Sequence, residues 1–126
     1  MKKIIPVFIF LVCISCFGKT NIEGKWKLVE PNIGELYISF SGSNVVEEYP
    51  GVYIDSGKYI ISKGMITRTY EKYTKTDRII SVSSTEMFLE AVKIEFSSKE
   101  EELKWYPDGD IKYGKSKLIM KYVKTK

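Results

Sequence analysis

From Gly24 onward, apolar and polar residues alternate in short runs separated by turn residues. Trp26 and Leu28 point one way, and Lys25 and Lys27 the other. That is the period-2 signature of a strand with one buried face. Leu36, Ile38 and Phe40 alternate with Tyr37 and Ser39, and Val92, Ile94 and Phe96 alternate with Lys93 and Glu95. Residues 45–49, 58–62, 78–82, 87–90 and 118–123 are further strand candidates. Residues 65–73 read as one long polar strand in which Ile66, Arg68 and Tyr70 share a face.

The breaks between these runs are turn-forming. Pro31-Asn32-Ile33-Gly34, Ser41-Gly42-Ser43-Asn44, Pro50-Gly51 and Pro107-Asp108-Gly109 combine residues that fix or free the backbone. Asp55-Ser56-Gly57 and residues 74–77 read as further breaks, and Lys63-Gly64 as a tight hairpin turn. Ser98 and Glu101 have capping-box spacing, so one helical turn is expected over residues 99–102. Residues 111–113 are expected to pair back as a strand before a turn at Gly114-Lys115. Turns recur roughly every ten residues and no long helix is predicted, which describes an all-β antiparallel meander. Closing it on itself removes its exposed edges. The expectation is a single up-and-down β-barrel of about 8–10 strands.

Three stretches of this pattern resemble a known family. Gly24-Lys25-Trp26 resembles the Gly-x-Trp opening of lipocalins, and GKWKLVE resembles the first strand of short bacterial lipocalin-like lipoproteins. DRIISVSSTEMFLE is similar to that family's hairpin, and KLIMKYVK to its closing strand. The resemblance spans most of residues 22–124. It implies a lipocalin-like barrel that holds a small hydrophobic or amphiphilic ligand. In many lipocalins an arginine near the last strand packs over the tryptophan. This chain has no arginine after Arg78, so Lys121 is the nearby candidate.

The first residues belong to a different class. Lys2 and Lys3 precede an apolar run too short to span a bilayer. The run ends at Cys13-Ile14-Ser15-Cys16, which resembles the lipobox of bacterial lipoproteins. Residues 1–15 are therefore expected to be a lipoprotein signal peptide and residues 16–23 a lipidated tether. Residues 24–126 are expected to be the barrel domain. Cys16 would carry the acyl chains, of the palmitate type, and anchor the protein to a membrane of the bacterial cell envelope. Phe17, rather than an aspartate, follows that cysteine, which suits the outer membrane.

Export changes the charge. The chain has 20 basic and 16 acidic residues; losing Lys2 and Lys3 lowers the formal charge from +4 to +2. No strong argument for an anionic partner survives, and none for nucleic acid. Both cysteines lie in the export segment, so the barrel has no thiol for a disulfide, a nucleophile or a metal site. The chain has no histidine, which removes the commonest general base near neutral pH. The acidic groups at Glu47/Glu48, Glu100–Glu102 and Asp108/Asp110 lie in charged or turn-like stretches and read as solvated surface. No enzyme activity, cofactor or metal is expected, and the protein is expected to be a monomer.

What remains is a binding role. All nine tyrosines lie beyond the export segment. Tyrosine suits a site that is apolar yet able to form hydrogen bonds. Arg68 lies in register with Ile66 and Tyr70. If those face inward, a charge faces inward with them and needs a partner. Arg68, Tyr49, Tyr59, Tyr70 and Trp26 are the candidate ligand-binding residues. The alternative is a protein-interaction lipoprotein, such as an inhibitor, immunity-type protein or assembly accessory, acting through its loops and a tyrosine-rich surface.

Overall fold

A computed structural model describes residues 22–125. The expected signal peptide, Cys16 and most of the expected tether lie outside the described residues. The strands are β1 (Gly24–Glu30), β2 (Tyr37–Ser41), β3 (Asn44–Tyr49), β4 (Tyr53–Ser62), β5 (Met65–Tyr70), β6 (Tyr73–Val82), β7 (Glu86–Phe96) and β8 (Ile119–Lys124). One helix, α1 (Lys99–Trp105), separates β7 from β8. Each strand pairs antiparallel with the next, and β8 pairs with β1, closing the barrel. The all-β, up-and-down barrel read from the alternation is the fold observed.

One end of the barrel is plugged. The β2–β3, β4–β5 and β6–β7 turns lie there, together with the start of β1 and the end of β8. Trp26, Phe40, Val45, Ile66 and Met87 fill the interior near it, each nearly or fully removed from solvent. The Trp26 indole donates to the Ile22 carbonyl oxygen at 2.9 Å, which meets the one polar need of the ring. A lysine does lie over this ring, but it is Lys124, whose Nζ is 5.3 Å from the ring centroid. Lys121 instead reaches Phe88 and Glu86. The register explains the exchange: Lys124 is the direct partner of Trp26 across the β1–β8 ladder. Every described strand has a neighbour on both edges, and among the described residues the buried core runs from Ile22 to Tyr122. The described residues therefore close a complete barrel around a core of their own.

Four local expectations change. Asp55, Ser56 and Gly57 lie within β4 rather than in a turn. Gly57 is there for space: a Cβ would sit 2.0 Å from the Thr69 carbonyl oxygen on β5. Gly57→Ala is expected to destabilise the barrel by about 1–3 kcal/mol through this overlap, read as a lower urea midpoint. Residues 74–77 are in β6, and the turn falls earlier, at Glu71 and Lys72. The helix runs to Trp105 rather than for one turn. Its Ser98 cap accepts from the Glu101 N–H, and acidic residues in the first turn oppose the helix dipole. Residues 111–113 form no strand; they belong to the loop that leads into β8.

Candidate functional site

The opposite end of the barrel is open. The β1–β2, β3–β4 and β5–β6 connections lie there, as do α1 and the loop before β8. A cavity of about 570 Å³ opens between them. Pro31, Ile33 and Leu36 line it from the β1–β2 connection, and Tyr49, Val52 and Tyr53 from around the β3–β4 turn. Lys104 and Trp105 approach from α1, and Tyr113 and Leu118 from the final loop. Its wall below is Leu28, Met120 and Tyr122. Glu47, Arg68 and Lys75 complete the lining as its charged floor.

That floor belongs to a buried polar network between cavity and plug. Arg68 Nη1 donates to Glu47 Oε1 at 2.7 Å, and Nη2 to Asp77 Oδ2 at 2.7 Å. Lys75 Nζ donates to Glu47 Oε2 at 2.9 Å. The Tyr53 hydroxyl donates to the same Oε2, and the Tyr70 hydroxyl to Oε1 at 3.2 Å. The Tyr113 hydroxyl donates to Asp77 Oδ1. Glu47 and Asp77 are fully buried and Arg68 is 1% exposed. Two cations thus face two carboxylates, which is the condition for keeping all four charges inside.

The electrostatics follow from this pairing. Burial pushes the Glu47 carboxyl up, but Lys75, Arg68 and the Tyr53 hydroxyl outweigh it and hold it at about 2. Burial also disfavours the Arg68 charge, yet Tyr70, Asp77 and Glu47 hold its pKa well above the ordinary value. Burial pushes the Tyr53, Tyr70 and Tyr113 hydroxyls up, so each retains the proton it donates. Because the folded pKa of Glu47 is depressed, its ion pairs stabilise the barrel above the unfolded carboxyl value. That contribution is lost as pH falls from about 4.5 to about 2. Acid titration followed by circular dichroism is expected to show barrel loss in that window, and Glu47→Gln should flatten the stability profile there.

Local backbone geometry sets the network in place. Between Thr76 and Asp77 the β6–β7 register shifts, so that Asp77 pairs with Ala91 and Val92 is passed over. Inward positions on β7 therefore change phase, from Met87, Leu89 and Ala91 to Ile94 and Phe96. Gly114 rests against this irregularity, where a Cβ would lie 2.0 Å from the Val92 carbonyl oxygen. Its positive φ and lack of a side chain let the loop come close enough for Tyr113 to reach Asp77.

The structure separates the residues singled out from the sequence. Arg68 and Tyr49 line the cavity. Tyr49 is a rim residue whose hydroxyl donates to the Ile33 carbonyl oxygen at 2.5 Å, tying two connections together. Tyr70 lies beneath the cavity as a donor to Glu47. Tyr59 sits edge-on to Phe40, centroids 4.8 Å apart, toward the plugged end. Trp26 forms the plug itself, so neither it, Tyr59 nor Tyr70 lines the cavity. Lys75, Asp77, Trp105 and Tyr113 join the site without having been singled out. Glu47, expected on the surface beside Glu48, is the hub of the network. Among the described residues no group of three or more side chains is arranged to hold a metal ion. Comparison of the chain with protein-family models, with curated proteins and with solved structures gives no match.

Proposed function

We propose that this protein is an exported, lipid-anchored barrel of the bacterial cell envelope that binds a small hydrophobic or amphiphilic ligand in its open end. The observation that carries this reading is the cavity. It is of ligand size, its walls are apolar and aromatic, and its polar groups converge on one side. An amphiphile would place its chain against Leu28, Leu36 and Met120 and its head toward Lys75. No catalytic step is assigned, because both buried carboxylates are committed to ion pairs. Similarity to the lipocalin-like lipoproteins in GKWKLVE and KLIMKYVK supports the same role.

Two measurements test this. Native mass spectrometry of residues 17–126, prepared from an envelope-rich host without detergent, should show a small adduct that is lost on unfolding. A clean apo mass, with tryptophan emission unchanged on adding fatty acids, would remove the carrier reading. Anchoring rests on the Cys16 lipobox. Labelled palmitate should enter the full chain in a lipoprotein-processing host and be absent from Cys16→Ser; equal labelling of both would refute it.

A second reading has its own observation. Ile33, Val52, Leu103 and Leu118 are exposed around the mouth, as at a surface that docks a protein. Under that reading, substitutions at the mouth would abolish capture of a partner protein and the interior would carry no adduct.

A further inference from the structure

We propose that Lys75 reads the head group of the ligand and that the head group is a compact oxyanion on a single chain. This rests on the carrier reading and adds the chemical class. It follows from counting donors and acceptors on the cavity floor.

Glu47 offers roughly four acceptor positions. They receive Arg68, Tyr70, Tyr53 and Lys75, so the only carboxylate in the lining among the described residues has no capacity left. Arg68 is turned to the network rather than to the cavity: Nη1 donates to Glu47 and the Tyr70 hydroxyl, Nη2 to Asp77, and the side chain is almost wholly buried. Its Nε is buried and has no partner among the described residues. Arg68 is therefore a positioning residue: it holds the carboxylate that orients Lys75.

Lys75 differs. An ammonium carries three N–H donors, and among the described residues only one of them meets a hydrogen-bond acceptor, Glu47. Its remaining neighbours are ring faces, with Nζ 5.3 Å from the centroid of Tyr73 and 5.6 Å from those of Trp105 and Tyr113. Aromatic faces hold the cation in place but take up no strong hydrogen bond. The side chain is 10% exposed, unlike Glu47 and Arg68 behind it. A head group descending the cavity thus meets unspent donors on a fixed cation.

Charge and size narrow the class further. Among the described residues, Arg68, Lys75 and Lys104 stand against Glu47 and the Asp77 behind it, one positive charge in excess, which favours an anion over a cation. At roughly 30 Å³ per water-sized group, the volume holds about 19 non-hydrogen atoms, the size of one chain with a small head.

The test compares three probes of equal chain length, dodecanoate, dodecan-1-ol and dodecylamine, titrated against residues 17–126 below their aggregation limits. Tryptophan emission and calorimetry report binding. Dodecanoate is expected to bind about tenfold tighter than the alcohol, since its bond to Lys75 is charge-assisted, and the amine should bind weakest. Lys75→Met should erase the difference between carboxylate and alcohol; Lys75→Arg should retain the preference. Equal affinity of the wild-type barrel for acid and alcohol overturns the assignment, as does a preference that survives in Lys75→Met. The wild-type comparison decides the head-group class even if a variant fails to fold. If no probe binds at all, the carrier reading falls with it; if all three bind alike, the carrier reading stands and only this assignment is lost.

Discussion

Glu47→Ala is expected to cost about 3–5 kcal/mol, enough to unfold a large fraction of a domain this size. The side chain is fully buried and accepts from two cations and two hydroxyls. Removing it leaves Arg68 with Asp77 alone and Lys75 with no carboxylate. The cost is the stranded positive charge more than the lost bonds. Urea unfolding followed by circular dichroism measures it. Glu48→Ala is the internal control: its neighbour faces away from the core and should shift stability by no more than about 0.5 kcal/mol. Replacing Glu47, Arg68, Lys75 and Asp77 together with apolar residues of similar volume should recover most of the loss, because paired buried charges contribute little net stability. A Glu47→Ala barrel within 1 kcal/mol of the wild type, by the same urea assay, would mean that the network is not formed in solution.

Trp26→Ala is the second large effect, at about 3–5 kcal/mol. The ring is fully buried in the plug, so truncation opens a void that strand backbones cannot collapse to fill. The Ile22 carbonyl loses its donor, and Lys124 loses the ring beneath it. Trp26→Phe keeps most of the volume and should cost well under half as much. Because the chain has only two tryptophans, Trp26→Phe also leaves Trp105 as the sole indole reporter, at the cavity mouth. If Trp26→Ala unfolds at the wild-type urea concentration, the plug does not support the barrel.

The architecture was legible because alternation is strong where one face is buried. β1, β2 and β5 each carry their inward residues at every second position, and Arg68 could be placed on the face of Ile66 and Tyr70. The partners of that arginine were not legible. In Val45-Val46-Glu47-Glu48 each face of the strand has one valine and one glutamate, so the pattern has no phase. Burial of Glu47 depends on cations that arrive from β5 and β6. Lys75 and Asp77 sit in a polar stretch that imitates a turn, and only the register with β7 shows them to be inside. The irregularity at Val92 breaks period-2 counting, so the apparent alternation through Phe96 concealed a change of face. Gly57 misled for a related reason: glycine marks turns and close approaches alike, and the difference lies in the neighbouring strand.

The pairing of β1 with β8 also sets the order in which the barrel is completed. Seven of the eight ladders join strands adjacent in sequence; six of these close through short connections, and β7–β8 closes across residues 97–118 with α1 between them. The eighth joins residues nearly the whole domain apart, Trp26 with Lys124. Such a contact raises contact order and slows folding. Until it forms, β1 and β8 are bare edges able to recruit strands from other molecules. Removal of residues 119–125 would therefore produce not a slightly weaker barrel but an open sheet with two adhesive sides, and its failure would appear as aggregation rather than as a lower melting temperature.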